Sequence, residues 1–331
     1  MILRSLPCKE ERCYFVRQIE INANQSGQRF DKFLQKYMRG ATKSFLYKML
    51  RKKNITLNGK KAQGNEKLEQ GDKVVLFFSE ETLEKFCGGQ PCKKESQKAD
   101  FPILYEDEQI LLINKPAGLL SQKAKSEDVS LVELVQDYVG CEPGFSPGIC
   151  NRLDRNTSGI VVAGKTLPAL QKMSELFRTR EVEKYYLTIV KGAMTQKKEV
   201  EGYLLKDTKT NKVTVYREEK KGSSYIRTGY EPVVVTKEMT LLRVHLMTGK
   251  PHQIRSHLSS LGHPVLGDTK YGGAHPQIKS QLLHAYELQF PKLGKPFEKI
   301  SGKCFTAPIP QTFFHNTIKP EIIKRLKTIP K

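Results

Sequence analysis

Apolar and polar positions follow a helical pattern between residues 28 and 79 of the chain. Apolar residues recur there at three- and four-residue intervals, which predicts two short helices that each bury one face. The inward residues are Phe30, Phe33, Leu34, Tyr37 and Met38 in the first helix and Phe45, Leu46, Met49 and Leu50 in the second. Asn58-Gly59 then supplies the positive φ angles of a tight hairpin turn, and a strand is predicted over residues 73–78. We therefore expect a compact unit of two helices followed by a hairpin.

The outer side of the second helix is basic. It carries Lys43, Lys48, Arg51 and Lys52. Two helices followed by a hairpin, with a basic second helix, resemble the α-L RNA-binding motif of ribosomal small-subunit proteins and RNA-modifying enzymes. The resemblance implies that these four cations contact RNA. A small structural domain with a solvated basic face is the alternative that the pattern leaves open.

From residue 101 the pattern changes to strands that alternate with helices of ordinary length. Apolar runs at 110–113 and 159–164 are bounded by turn residues, which predicts buried strands. Alternation over 242–246 predicts a strand with one buried face. Thr166 is a good N-cap for one helix, and a second helix is predicted over 251–261. This mixture indicates an α+β fold rather than a regular series of strand–helix–strand units.

Changes in texture along the chain predict its division into parts. With 331 residues, the chain is long enough for one large domain and one small one. We expect a small RNA-binding domain over 14–79 and a main domain over 101–319. Between them, residues 80–100 are charged and show no sustained apolar period, so they are predicted to be a linker. The last residues, 320–331, are predicted to be a loose basic tail.

The charge balance narrows the class of partner. The chain has 56 Lys and Arg residues against 35 Asp and Glu residues, a formal net charge of +21. Such an excess attracts polyanions over long range, and its spread along the chain favours a nucleic acid over a membrane surface. Arg4 interrupts the apolar start of the chain, and no apolar run reaches the length of a membrane helix. We therefore expect a cytoplasmic protein that binds RNA and no membrane.

Cysteine usage raises one further alternative. Seven cysteines, an odd number in a long chain without a secretion signal, predict reduced thiols. Cys8 and Cys13 are separated by four residues, as are Cys87 and Cys92, and two such pairs could bind zinc if they came together. No further ligand signature supports that site, and we expect no metal.

One acidic residue lies between two arginines in the segment 151–159. Asp154 follows Arg152 and precedes Arg155 in a turn rich in Gly, Ser, Thr and Asn that leads into an apolar strand. An adjacent guanidinium favours the ionised carboxylate and can orient it. Such a carboxylate on a loop at a strand end suits a nucleophile or a proton acceptor. The alternative is an aspartate that only caps the backbone of its own turn.

Residues 152–159 resemble the R-L-D-[RK]-x-T-S-G signature of the RluA-type pseudouridine synthases, whose aspartate is the essential catalytic residue. Three further blocks resemble the family's in the same order. They are the opening strand and turn within 103–118, the K-x-Y-x-A-x-V-x-G strand at 184–192 and the T-G-R-x-H-Q-I-R block at 248–255, with Gly267-Asp268 and Tyr271-Gly272 beyond it. The resemblance implies a mixed, mostly antiparallel sheet with flanking helices and a central cleft.

The resemblance also implies roles for individual residues. Asp154 would act as nucleophile or base at the ribose, Tyr186 would transfer a proton beside it, and Arg255 would pair with its carboxylate. Taken alone, Tyr186 could be an ordinary strand aromatic, and Arg255 a solvated or phosphate-contacting residue. The RNA contacts implied in this second part of the chain are Asn151, Arg152, Arg155, Lys115, Lys250 and His252.

Three departures from the family pattern affect RNA contacts more than the reaction. Asn151 stands where the family commonly has His, Lys250 where it has Arg, and Thr188 where it has Ala. Lys250 keeps the positive charge but loses the bidentate fork of an arginine.

The reaction that the resemblance implies is isomerisation of uridine to pseudouridine. It requires no redox change and no phosphate transfer, so we expect no cofactor. The target base must leave its helix or loop to be reached. We expect a monomer, and the extra basic module favours large-subunit ribosomal RNA over transfer RNA. The alternatives are a synthase acting on transfer RNA and an RNA-binding assembly factor without activity. A glycoside hydrolase would need paired carboxylates, and the loop offers one.

Overall fold

The structure is a computed structural model that describes residues 15–87, 101–207, 210 and 212–329. The strands, in chain order, are β1 (Phe15–Glu20), β2 (Ile55–Leu57), β3 (Lys60–Lys61), β4 (Lys73–Phe78), β5 (Ile103–Glu106), β6 (Ile110–Lys115), β7 (Gly148–Ile149), β8 (Ser158–Gly164), β9 (Glu183–Lys191), β10 (Lys198–Asp207), β11 (Lys212–Tyr216), β12 (Ser224–Val235), β13 (Met239–Leu246), β14 (Leu283–Gln289) and β15 (Cys304–Thr306). The α-helices are α1 (Phe30–Tyr37), α2 (Lys43–Arg51), α3 (Glu80–Cys87), α4 (Leu131–Val139), α5 (Leu167–Thr179), α6 (Gln253–Ser260) and α7 (Pro320–Thr328). Short 3-10 helices cover Thr269–Tyr271, Glu298–Ile300 and Gln311–Phe314.

Contacts divide the described chain into two compact units. The first contains the described residues up to 87 together with Glu133–Gly148 and Gly164–Gln171. The second contains the remaining described residues. The first unit thus includes two segments of the predicted main domain, 101–319. The domain boundaries proposed from the sequence stay a prediction.

The first unit contains the two predicted helices and the predicted hairpin. Its four strands form a sheet in the order β1-β4-β2-β3. Asn58 and Gly59 have φ angles of 51° and 72° and turn the chain between β2 and β3, as their sequence predicts. Thr42 caps α2 by accepting a hydrogen bond from the Phe45 N–H at 3.3 Å. Strand β1 was not predicted, and it pairs with β4 over its full length.

Two helices lie where the sequence predicted irregular chain. Helix α3 occupies the first part of the predicted linker and buries Leu83 and Cys87 in the core of the first unit. Helix α7 occupies most of the predicted tail, and it buries Ile322 and Leu326 in a core of the second unit. Each helix buries only two side chains, spaced four apart among charged residues. A two-turn helix with so short an apolar face leaves little periodicity for the sequence to show.

The buried Cys87 bears on the zinc alternative. Cys87 is a free thiol within the apolar core of the first unit. Its prospective partners Cys8, Cys13 and Cys92 lie outside the described residues.

The second unit is built on an eleven-stranded sheet. Its main path runs β11-β10-β12-β13-β9-β14-β8-β6-β5, with β15 on β14 and β7 on β8. Pairing is antiparallel from β11 through β14, whereas β14 and β8 are parallel. This is the mixed, mostly antiparallel sheet that the sequence resemblance implies. None of the helices in the described part of the chain combines the length and apolar character that crossing a bilayer requires.

Gly159 allows β8 to approach β14 at the centre of this sheet. Its φ angle is +114°, and a Cβ atom built on it would lie 2.2 Å from the Ala285 carbonyl oxygen. Any larger residue would therefore push the two strands apart. Because β8 begins four residues after Asp154, this close approach also fixes where the loop before β8 enters the sheet.

Candidate active site

Asp154 lies on the loop that enters β8, and main-chain contacts hold that loop in place. The Ser121 hydroxyl donates to the Leu153 carbonyl at 2.7 Å and accepts from the Leu153 N–H at 3.0 Å. The turn itself is closed by the Thr157 N–H, which donates to the Asp154 main-chain carbonyl at 3.0 Å. The carboxylate of Asp154 instead accepts a hydrogen bond from Arg255. The alternative in which this carboxylate only caps its own turn is therefore wrong.

Arg255 bridges two carboxylates. Its Nη1 donates to Asp154 Oδ2 at 2.7 Å, while Nε and Nη2 donate to the two oxygens of Asp268 at 2.7 and 2.9 Å. The Arg255 side chain is only 9% exposed, so the alternative of a solvated arginine is wrong. Burial opposes its charge, but the Asp268 hydrogen bonds and the Asp154 charge keep the pKa of Arg255 above its ordinary value. The guanidinium is therefore a permanent cation fixed against Asp154.

Gln253 fixes the helix that carries Arg255. Its side-chain oxygen accepts from the Thr248 hydroxyl at 2.9 Å and from the Lys250 N–H at 3.1 Å. Its amide nitrogen donates to the Thr228 hydroxyl at 2.9 Å and to the Arg227 carbonyl at 3.2 Å. The start of α6 and the loop before it are thereby tied to β12. This buried network fixes the start of α6, so that Arg255, two residues after Gln253, is held in a defined position.

Sequence reasoning assigned no role to Asp268. Its side chain is 1% exposed and caps the 3-10 helix Thr269–Tyr271 by accepting from the Lys270 and Tyr271 N–H groups. The signal available in the sequence was the Gly267-Asp268 block of the family resemblance. That block carried no role for the side chain, because its pairing with Arg255 is a tertiary contact.

Tyr186 lies on β9, a central strand of the large sheet, between Val244 of β13 and Ala285 of β14. It is buried. Burial, and secondarily the charge of Asp154, raise the pKa of the Tyr186 phenol well above its ordinary value. The phenol is therefore neutral near pH 7 and able to donate a proton.

The three residues line one cleft of about 800 Å³ in the second unit. Nine of the lining residues are lysines or arginines, whereas Asp154 is the one carboxylate among the described lining residues. The nine are Lys123, Arg152, Arg155, Arg178, Arg180, Lys184, Lys206, Lys250 and Arg255. A cleft of one charge sign focuses the field and concentrates a polyanion, so this surface suits a nucleic-acid strand.

The residues that were predicted to contact RNA divide into two kinds. Arg152, Arg155 and Lys250 are exposed and line the cleft. The amide of Asn151 is used within the protein, since it donates to the Ile160 carbonyl at 3.1 Å and accepts from the Val162 N–H at 2.8 Å. Asn151 therefore shapes the loop as well as lining the cleft.

His252 also lines the cleft and is partly buried. Its Nδ1 lies 2.8 Å from the Tyr271 hydroxyl, which in turn accepts from the Val213 N–H at 3.1 Å. Its φ angle of +54° puts the backbone in the left-handed region just before α6. One ring nitrogen is thus held by the protein, which orients the ring toward the cleft.

The prediction that Lys115 contacts RNA is wrong. Lys115 is 0% exposed, and its ammonium donates to the carbonyls of Pro116, Leu119 and Arg155 at 2.9, 2.8 and 3.0 Å. Burial lowers the pKa of Lys115 to about 8, against the opposing charge of Asp154. The turn-like sequence around it indicated an exposed loop, but the side chain folds inward and ties that turn to the loop of Asp154.

The basic residues of the predicted α-L-like module lie in the first unit. Lys43, Lys48, Arg51 and Lys52 are all exposed, on α2 and at its C-terminal cap. The structure therefore contains the predicted basic face. Its contact with RNA stays a prediction.

Comparisons with known proteins show the family to which this chain belongs. Residues 109–260 match the family model described as RNA pseudouridylate synthase. An RNA pseudouridine synthase of Mycoplasma genitalium is 30% identical over 282 residues, which are 80% of this chain and 86% of that protein. The ribosomal large subunit pseudouridine synthase C of Salmonella typhi is 32% identical over 295 residues, which are 84% of this chain and 90% of that protein. In structure, the human RNA pseudouridylate synthase domain containing 4 protein superposes with a TM-score of 0.53 at 23% identity, covering 69% of this chain and 94% of that one, which shows the fold.

Proposed function

This chain belongs to the RNA pseudouridine synthase family, and on that premise we propose that it modifies uridines of large-subunit ribosomal RNA with Asp154 as the catalytic carboxylate. The family makes the enzyme an isomerase that converts uridine to pseudouridine. The observation that carries the residue assignment is the 2.7 Å hydrogen bond from Arg255 to Asp154 in a cationic cleft. It holds one ionised acid where a flipped nucleoside would enter.

Asp154 is proposed to act at the ribose of the target uridine. The N1–C1′ bond must break, the uracil must turn, and C5 must bond to the same sugar carbon. A carboxylate serves such cleavage by attacking the sugar carbon, by stabilising its positive charge or by accepting a proton. Arg255 fixes the direction of the Asp154 carboxylate by its hydrogen bond as the cleft loses water around the substrate.

Tyr186 is proposed to manage the final proton. After C5 bonds to the sugar carbon, the hydrogen on C5 must leave and N1 must gain one, so that no atom is lost overall. A neutral phenol with a raised pKa is a weak acid, and its anion is a strong base. The same side chain can therefore donate a proton to the uracil ring and accept one from it. Its ring also offers an aromatic surface on which the uracil can stack.

The choice of ribosomal RNA is supported by three observations. Relatives that share about 30% identity over most of the chain carry names that specify the large ribosomal subunit. The chain has a net charge of +21. Its first unit has a helix with an exposed basic face, which suits phosphate contacts on structured RNA.

The test is to incubate the purified enzyme with RNA from a strain that lacks its gene and to map new pseudouridines. We expect new pseudouridine at one or a few uridines of the large-subunit RNA. New pseudouridine confined to transfer RNA would refute the target assignment. Tight RNA binding without any product would instead identify a binding protein that has kept the fold.

A further inference from the structure

A side pocket of about 260 Å³ opens beside the catalytic cleft, and the two cavities share Arg180, Lys184 and Leu246. Leu246 and Met247 give the side pocket apolar surface, and Tyr225 gives it an exposed aromatic ring. Its volume lies just below the range of about 300–1,000 Å³ that holds drug-sized ligands. The side pocket therefore has room for one small flat group, such as a single base.

Lys184 is a buried cation at the junction of the two cavities. It is 8% exposed, and its ammonium makes one hydrogen bond to another described residue, the Val182 carbonyl at 3.2 Å. An ammonium has three N–H donors, so two remain. Burial lowers the pKa of Lys184, and the neighbouring charge of Arg180 adds to that effect while Glu183 opposes it. A buried cation with unused donors is costly to the protein unless an anion binds there.

Arg180 lies at the same junction in an unusual backbone conformation. It directly follows α5 with a φ angle of +66°. The Glu181 N–H donates to the Leu176 carbonyl at 2.9 Å and closes the helix end. Glycine is the residue usually found at this position of such a helix end. An arginine there is strained, and strain of this kind clusters at functional sites.

Each acidic side chain around the side pocket contacts another side chain. Glu183 is in hydrogen-bond contact with His245. Glu199 and Glu201 lie against Arg227. Arg180, in contrast, has no ion-pair partner among the described residues. The side pocket is therefore lined by three basic residues, Arg180, Lys184 and Arg227, and by one acidic residue, Glu183.

We propose that Lys184 and Arg180 form a subsite for a phosphodiester of the RNA strand next to the target uridine, with the adjacent base in the side pocket against Met247 and Tyr225. The proposal rests on the proposed function and extends it to a flanking nucleotide. Single-stranded RNA is bound in this way elsewhere, by cations along its backbone and aromatic rings against its bases. Such a subsite would hold the strand open while the uridine occupies the cleft, so it should affect KM more than kcat.

The experiment uses a short synthetic RNA that spans a uridine modified by the wild-type enzyme in large-subunit RNA. Each phosphodiester within two nucleotides of that uridine is replaced in turn by a neutral methylphosphonate. In the wild-type enzyme, one replacement should raise KM about tenfold, because a charge-assisted contact is lost. In Lys184→Met and in Arg180→Gly, the same replacement should raise KM only about threefold, because one of the two cations that contact the phosphodiester is already absent.

Lys191→Met is the matched control. Lys191 lies on the same strand as Lys184, outside both cavities, with its ammonium on the Ala274 carbonyl at 2.9 Å. This variant should keep the full methylphosphonate effect. Arg180→Gly suits the positive φ angle, so it tests the subsite even if Lys184→Met fails to fold.

Equal methylphosphonate effects in all four proteins would overturn the subsite, as would the lack of an effect at every linkage in the wild-type enzyme. Loss of the effect in the Lys191→Met control would also overturn it, since overall charge would then be the cause. If the wild-type enzyme forms no pseudouridine in any RNA, the proposed function fails first and the subsite fails with it.

Discussion

Asp268 should be required for catalysis although it contacts Arg255 rather than Asp154. Its two oxygens accept from Nε and Nη2 of Arg255, which leaves Nη1 directed at Asp154. Asp268→Asn keeps the size of the side chain but presents an NH₂ group to a guanidinium that can only donate. One of the two charge-assisted hydrogen bonds and the balancing negative charge are lost. The guanidinium is then free to turn away from Asp154.

The expected size of this effect follows from those contacts. A hydrogen bond to a charged group contributes about 1.5–3 kcal/mol. Removing one partner of a buried pair costs about 3–5 kcal/mol, but Arg255 keeps Asp154 as a partner. We therefore expect the free energy of unfolding to fall by about 2–3 kcal/mol. A misplacement of about 1 Å in an active site lowers rates about 100-fold, so kcat should fall by that factor with KM changed less than about twofold.

The assay is release of tritium from RNA that carries [5-³H]uridine, under steady-state conditions and well below the melting temperature. Glu287→Gln is the control, because Glu287 accepts from Arg243 at 3.1 and 3.2 Å elsewhere on the sheet and does not line the cleft. It should destabilise the protein and leave kcat unchanged. If Asp268→Asn also keeps the wild-type kcat, Asp268 only stabilises the fold, and the positioning argument is refuted.

Three further predictions follow from the fold and the cleft. Gly159→Ala should lower the free energy of unfolding of the second unit by more than about 3 kcal/mol, because its Cβ would meet the β14 backbone at 2.2 Å. The control is Gly302→Ala, which has a φ of +65° but open space around it and should cost only about 1 kcal/mol. Equal losses for the two variants in urea unfolding would contradict this prediction. His257 and His284 are buried, and burial lowers the pKa of each to about 4; since the unfolded chain binds their protons first, stability should fall as the pH drops from about 6.5 toward 4, by about 2 kcal/mol for each residue at pH 5. His257→Leu should flatten this dependence, and an unchanged pH profile would show that the residue is not held neutral. Finally, kcat/KM should fall steeply between 50 and 200 mM salt, with a logarithmic slope of about −3 or steeper if about five phosphates are bound, and a slope near zero would contradict the cationic cleft.

The sequence could predict the parts of this molecule that depend on local pattern. Strand alternation, the Asn58-Gly59 turn and the Thr166 cap are set by residues within a few positions of one another, so neighbouring residues suffice to specify them. The proposed catalytic residues Asp154 and Tyr186 were found through ordered family blocks, because no local pattern distinguishes a catalytic carboxylate from a turn cap. Their presence on one cleft wall was implied by that resemblance alone.

The remaining features depend on tertiary contacts that the sequence does not display. The pairing of Arg255 with Asp154 was expected only through the family resemblance, because its own helix left a solvated residue open; the Asp268 pair thirteen residues on accounts for its burial. Lys115 was expected on the surface because turn residues follow it, but three carbonyl groups accept from its ammonium in the interior. Arg180 follows the end of α5, and Lys184 lies four residues later in β9. No helical or strand periodicity in the sequence therefore relates the two residues.

The most direct test of the central claim is the rate of pseudouridine formation by Asp154→Asn on an RNA that it still binds. If the ionised carboxylate beside Arg255 carries out the reaction, RNA affinity should stay within about threefold of wild type while the rate falls by at least about 10⁴-fold, as for a lost catalytic nucleophile. A rate within tenfold of wild type would contradict the account, because an amide at position 154 can neither attack the sugar nor accept its proton.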